Sequence, residues 1–392
     1  MRQPKRRGFI SRHIVWILLV IALDETSASI NNNLDQIPDS GSSWRDEQTR
    51  DSVRALQEDL SKLVQLHDHI PLMTPTKSKR DSSYIKSWKR TDWEHHQVES
   101  LARYTRHLVK WVLSPTARAI VPAVVGFVAW SCLVVFVMHR SPLITENASS
   151  FTGGIGSFTA PLSLLLALKT NRALNRLLEA RKLVGQMFLA TKSMSGVTAA
   201  YILPIDVTKA LLIGRYLAVY GWIMKGYFRE EDVAPLIRAV FPPEEVQWLV
   251  NSPSDIPTSI LYRLRQLVAS LVPELPRTAS QALEAKIWQL ESIFESLKRM
   301  FGNPIPPTYT RHTSRVLCMS LGLLPIALVG SNASFAAIIT TVTLLSYVFV
   351  GIDEISVEIE HPFPLIPMYY LAYCAQNHVG NQFTLAIQPV PT

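Results

Sequence analysis

The residues of this chain that could act on a partner gather around one short apolar segment. Ala160, Leu164 and Leu168 recur at intervals of four, so they share one helix face. Lys169 and Arg172 follow at once. Basic side chains at the end of an apolar face raise the local concentration of anions. Gly153, Gly154 and Gly156 precede the segment. They could expose backbone N–H groups at a helix start, which is an anion site, or they could simply allow close helix packing. The sequence carries no Gly-rich phosphate loop, no HExxH and no nucleophile with an ordered base. Neither a catalytic residue nor a cofactor is therefore expected, and the protein reads as something other than an enzyme. The three cysteines, Cys132, Cys318 and Cys374, lack CxxC spacing, which argues against a disulfide framework or a zinc site. Glu358 and Glu360 alone offer too few oxygen ligands for calcium, and no metal is expected.

The elements that must position these residues are membrane helices. Of the 392 residues, 48% are hydrophobic and only 18% are charged, and mean hydropathy is +0.15. The apolar residues are clumped, as in a membrane protein. Four segments stand out, near 119–138, 155–168, 316–329 and 335–352. The first has the length that a hydrocarbon core demands. The second is short: by length alone it is a buried or re-entrant helix, and within a bundle it could line a pore. The net charge of +8 admits nucleic acid, anionic lipid or an anionic permeant as partner. Lys and Arg sit mainly beside the apolar segments, where they set topology, so nucleic acid is not expected.

The charges also give an orientation. Lys86, Lys89, Arg90, Arg103, Arg106 and Lys110 precede the first segment. Lys169, Arg172, Arg176, Arg181 and Lys182 follow the second, and Arg311 and Arg315 precede the third. The other two connections are nearly free of charge. Both termini and the middle region therefore fall on the positive, cytosolic or stromal side.

Residues 1–29 read as a signal peptide: a basic start with Lys5, Arg6, Arg7 and Arg12, a compact apolar stretch over 14–23, and small residues Ser27, Ala28 and Ser29. Residues 30–84 read as a polar leader, disordered or a transit segment, with one amphipathic helix over 53–66. This pairing is similar to the bipartite address of plastids bounded by extra membranes, although Ile30 stands where an aromatic residue is usual. The region 169–310 reads as a helical soluble part. Its clearest helix, 281–301, places Leu283, Ile287, Leu290, Phe294 and Leu297 on one face, with Thr278 and Gln281 as a capping box. Nothing in the patterning suggests strands.

Three separated words carry a family resemblance. They are Pro304-Ile305-Pro306-Pro307-Thr308-Tyr309-Thr310-Arg311-His312-Thr313-Ser314-Arg315, then Lys169-Thr170-Asn171 through Glu179-Ala180-Arg181-Lys182, and Ile359-Glu360-His361-Pro362-Phe363. Together they resemble the bestrophin-like anion channels, in particular the chloroplast voltage-dependent chloride channel branch. The resemblance runs from about residue 93 to the C-terminus, so 85–392 is expected to be the channel domain. It implies an all-α membrane protein with four spans and a helical stromal or cytosolic domain, assembled as a homopentamer around one axial pore. It implies that Ala160, Leu164 and Leu168 line the pore neck beside Pro161, and that Lys169 and Arg172 attract anions just past it. Relatives often carry aromatic or larger branched residues at the neck, so three aliphatic residues suggest a wider, leakier passage; the alternative is that they pack against a neighbouring helix. His312 is expected to order the junction before the third span. Animal members follow the fourth span with an acidic calcium clasp, whereas Pro364-Leu365-Ile366-Pro367-Met368 here is similar to the chloroplast branch. The function implied is passive chloride conduction tuning the potential across the thylakoid membrane. Alternatives are a bicarbonate channel supplying carbon fixation, or a non-conducting membrane scaffold. The partners implied are further copies of the chain, inorganic anions such as chloride or bicarbonate, and membrane lipid.

Overall fold

The computed structural model describes residues 44–67, 90–98, 105, 115–140 and 142–388. The signal peptide expected over 1–29 lies outside the described residues. Every regular element among the described residues is helical. In chain order they are α1 (Trp44–His67), α2 (Arg90–Val98), α3 (Pro115–Arg140), α4 (Pro142–Val197), α5 (Val207–Arg229), α6 (Ala234–Val240), α7 (Pro243–Val250), α8 (Ile256–Ala269), α9 (Arg277–Gly302), α10 (Pro307–Gly330), α11 (Phe335–Glu360) and α12 (Met368–Ala386). A π-helical turn, Thr198–Ile202, closes α4. The chain divides into two units, Met1–Asp51 and Ser52–Thr392. The described part of the first is the opening of α1; the other described residues belong to the second.

Three of these helices are long and apolar enough to cross a membrane: Thr116–Arg140, Pro307–Gly330 and Phe335–Glu360. They extend beyond the apolar cores expected from sequence, α3 at both ends, α10 at its start and α11 at its end, where polar residues continue the helix. Their outward faces stay apolar and exposed, with Val125, Phe136, Met319 and Leu344 among the most open side chains. The expected second segment, 155–168, is not a separate short helix: it lies inside α4, which has 56 residues. At roughly 1.5 Å per residue that is about 84 Å, far more than the ~30 Å of a hydrocarbon core.

The helical region after α4 builds its core around α5. Tyr216, Leu217, Tyr220, Trp222, Ile223 and Met224 are all buried. Asp206 caps this helix by accepting from the Lys209 N–H at 2.9 Å. Gly221 lets two neighbours close in: a Cβ there would lie 2.7 Å from Phe188 and 3.2 Å from Ala372. The helix expected at 281–301 forms as α9 with its apolar stripe buried. The capping box does not form. The helix begins after Pro276 with no side-chain cap, and Thr278 already lies inside its first turn, so its hydroxyl is displaced from the capping position.

The expected leader boundary also changes. The amphipathic helix forms as part of α1, and Val53, Leu56, Leu60 and Leu63 are buried within the main core. The Gln376 side-chain amide donates to the Leu60 carbonyl at 2.6 Å and accepts from Trp222 Nε1 at 2.8 Å. Arg215 pairs with Asp59 at 3.0 Å. A stretch that reads as polar leader thus supplies one wall of the folded domain, because its four apolar residues find a ready groove between α5 and α12. Replacing the fully buried Leu56 with Ala should cost about 2–5 kcal/mol and lower the thermal unfolding midpoint followed by tryptophan fluorescence. An unchanged midpoint would show that α1 is not part of the cooperative core.

Candidate functional site

The candidate site is the first half of α4. Between Pro161 and Gly185 this helix has no glycine or proline and is rich in Leu, Ala, Arg and Lys, all strong helix formers. Its buried positions run Leu162, Leu166, Lys169, Ala173, Leu177, Ala180, Val184 and Met187, a continuous stripe at helical spacing. Leu162 and Leu166 pack with Leu317 and Leu321 of α10, and Phe349 and Ile352 of α11 lean on the same cluster. The other face is left uncovered. Ala160 is exposed, Leu164 is 60% exposed and Leu168 43%. Among the described residues the three share one exposed, apolar helix face. A groove of about 530 Å³ runs beside them between α4 and α11, walled by Leu166, Leu174, Phe349 and Ile352 and floored by Thr170 and Asn171.

The glycine expectation is corrected. Gly153, Gly154 and Gly156 lie well inside α4, which starts at Pro142. Backbone N–H groups beyond the first turn of a helix are bonded to the carbonyl one turn back, so these glycines cannot present an anion site at a helix start.

Lys169 is corrected as well. Its side chain is 1% exposed and its Nζ sits 2.5 Å from Asp353 Oδ1 on α11. The pair is neutral as a unit, so Lys169 lends no free charge to the surface beyond Leu168. Removing one partner of such a pair leaves an uncompensated buried charge, at a cost of about 3–5 kcal/mol. Asp353 is the partner that Lys169 is buried against. The sequence signal for that burial was present, since Lys169 falls in register with Leu166 and Ala173 on the buried stripe. Arg172, by contrast, is exposed, and its guanidinium lies 4.8 Å over the Tyr309 ring.

The three family-like words converge at this level of the fold. Tyr309 donates its hydroxyl to the Leu165 carbonyl at 3.2 Å. Arg176 donates to the Asn303 carbonyl at 2.8 Å and to the Met300 carbonyl, placing a cation where the end of α9 carries its negative pole. The Ile305 N–H donates to Glu360 Oε1 at 3.2 Å. Phe363 stacks on Phe228 with centroids 4.2 Å apart, and His361 lies 6.1 Å from Phe301 and from Phe363. His312 is exposed while Thr313 is buried, so Tyr309 and Thr313 order this junction, not His312. The physical reason is register: Thr313 lies one turn beyond Tyr309 and donates to its carbonyl at 3.0 Å, which turns His312 outward. The three cysteines are all free thiols.

The model of the family described as bacterial/fungal bestrophin protein matches residues 96–380. A voltage-dependent anion channel-forming protein of Mesorhizobium japonicum is 26% identical over 62% of this chain and 77% of its own length. The chloroplastic voltage-dependent chloride channel 1 of Arabidopsis thaliana is 25% identical over 73% of this chain and 70% of its own length. Among solved structures, a bacterial bestrophin homologue from Klebsiella pneumoniae, in a variant form, superposes with a TM-score of 0.61 at 20% identity, covering 67% of this chain and 98% of that one. That likeness is one of fold.

The junction has a pH consequence. Burial, and then the nearby Arg176 charge, hold the His361 imidazole below its ordinary value of 6.5. In the unfolded chain it titrates near 6.5, so as pH falls through that value the unfolded state takes up a proton that the folded state refuses. Stability present above pH 6.5 is therefore lost on acidification. His378, which burial also lowers, contributes with the same sign. The unfolding midpoint should drop between pH 7.5 and 5.5, and His361→Gln should flatten part of that drop. A pH profile identical to the parent's would show that His361 does not carry it.

Proposed function

This chain belongs to the bacterial/fungal bestrophin family, and from that premise we propose that it is a passive anion channel whose neck is the open face of α4. The observation that carries the reading is the two-sidedness of α4: Leu162 and Leu166 are buried while Leu164 and Leu168 stand open on the other face. An apolar face that stays exposed among the described residues suits a pore shared by several copies. The assembly proposed is a homopentamer with four copies of each wall supplied by neighbours and one axial pathway. Each protomer would cross the membrane with α3, the apolar stretch of α4, α10 and α11, leaving both termini on one side.

Conduction follows from the composition of the neck. An anion must shed part of its hydration to pass Ala160, Leu164 and Leu168, so weakly hydrated anions pass most readily, and dewetting can close the path. Cations are disfavoured by the exposed Arg172, Arg181 and Lys182 further along α4, which raise the local anion concentration. Ala160 is the smallest of the three and makes that end the widest. Chloride is the proposed permeant. An apolar neck has no group that singles it out from bicarbonate, so both are expected to pass. A thylakoid location, where such a channel would adjust the electrical part of the proton-motive force, is supported by chloroplastic relatives and by the signal-plus-leader layout of residues 1–84.

The test is the reversal potential of purified protein in a planar bilayer under a chloride gradient. A value near the chloride equilibrium potential is expected, with Leu164→Ala and Leu168→Ala each changing the conductance. Replacing chloride by bicarbonate on one side then ranks the two permeants. Absence of current from assembled protein across a wide voltage range would favour a scaffold and end the channel reading.

A further inference from the structure

We propose that Lys169 and Asp353 are positioning residues of the neck: their ion pair fixes the rotation of α4, and so the alignment of Ala160, Leu164 and Leu168, and does not lend charge to the pathway. The inference rests on the channel reading above. Lys169 follows Leu168 directly, yet at about 100° per residue it points to the side of α4 opposite Ala160 and Leu164. Its Nζ is 2.5 Å from Asp353 and its side chain is 1% exposed. A buried, neutralised cation facing away from the pathway has little field to offer a passing anion.

What it can do is hold the helix. Above it, Leu162 and Leu166 are held by packing against Leu317 and Leu321, which is non-directional and tolerates sliding. Several directional contacts of α4 gather at this level. The Leu165 carbonyl accepts from Tyr309, Lys169 meets Asp353, Arg172 lies over Tyr309, and Arg176 grips the end of α9. The spacing 165, 169, 172 and 176 is one helix face over consecutive turns. Of these, only Lys169 reaches α11, a membrane-crossing helix, and it lies beside the last neck residue. Rotation matters because a side chain about 5 Å from the helix axis moves by about 2 Å for a turn of about 20°. Repeated in every protomer, that is enough to change the width of the constriction.

The proposal and a charge-attraction role for Lys169 predict opposite patterns. If Lys169 attracted anions, Lys169→Met and Asp353→Asn would move anion-over-cation selectivity in opposite directions, because one removes a positive charge and the other a negative one. If the pair positions α4, both variants lose the same restraint and change in the same direction. The thiocyanate-to-chloride permeability ratio should fall toward one in each, as a misaligned neck discriminates less by dehydration. Lys169→Arg, which keeps the pair, should retain the parental ratio, and the exchange variant Lys169→Asp with Asp353→Lys should restore it.

The experiment measures reversal potentials under thiocyanate–chloride and under potassium chloride gradients for these variants. Assembly is checked by size-exclusion chromatography, and Leu164→Ala runs alongside. Matching falls for K169M and D353N, with recovery in the exchange variant, support the pair as the rotational restraint. Opposite shifts in anion-over-cation selectivity, or parental ratios in both while Leu164→Ala still alters conductance, overturn it and leave the channel reading standing. No effect of Leu164→Ala, in a protein that conducts, removes the neck assignment and the proposal with it. If the single variants do not assemble, the exchange variant decides: an assembled exchange with the parental ratio supports the proposal. An exchange that is altered or unassembled overturns it.

Discussion

Everything in this protein hangs on the continuity of α4. A helix fixes which residues share a face, and it keeps that register for as long as it runs unbroken. Here it runs for 56 residues, so the face presented near Leu164 and the face buried near Val184 are set by one rotation. The stripe from Leu162 to Met187 must be inside at both ends or at neither. The smaller cluster around Leu162 and Leu166 and the main core around Val184 and Met187 are therefore two halves of one packing decision. A charged residue in that stripe is tolerable only with a partner at the right height on the next helix, and Asp353 of α11 is that partner.

The junction below the membrane helices shows why the family's recognisable words lie far apart in sequence. Each contributes what the others lack. The proline-rich approach to α10 has few backbone donors of its own, and it supplies the Tyr309 hydroxyl to α4. The basic stretch of α4 supplies Arg176 to the carbonyls at the end of α9, which would otherwise have no partner. The Glu360 carboxylate takes the Ile305 N–H, and Phe363 closes the aromatic layer against Phe228. Proline, arginine, glutamate and phenylalanine are constrained together because each satisfies or seals a group from another segment.

Much of this was readable from residue pattern alone. Helical content, the positions of the apolar cores and the α9 stripe follow from residue pattern, which is a local property. What failed was contextual. Gly153, Gly154 and Gly156 are compatible with a helix start because glycine is a poor helix former, yet α4 runs through them from Pro142. Lys169 was read by its nearness to Leu168 in sequence, though its spacing from Leu166 and Ala173 placed it on the buried side, and its partner lies 184 residues away. Residues 53–66 were legible as an amphipathic helix, but nothing local tells whether such a face meets a membrane, another chain or this chain's own core. The groove that receives it is made by α5 and α12, through Gln376 and Trp222.

The neutralisation of Lys169 bears on how selectivity arises. With its charge answered by Asp353, the stretch of α4 from Ala160 to Leu168 carries no free charge, and the first exposed cation on that helix is Arg172, a full turn beyond Leu168. On the channel reading proposed above, attraction and selection would be separated along one helix. Arg172, Arg181 and Lys182 would concentrate anions in water, where a field acts at a distance, and the apolar face would then sort them by how readily they give up hydration. A lysine free to reach the neck would blur this order, because a bare ammonium next to the constriction would hold strongly hydrated anions in place. Burying that lysine against a carboxylate would keep the proposed neck apolar while still placing a directional contact one residue away from it.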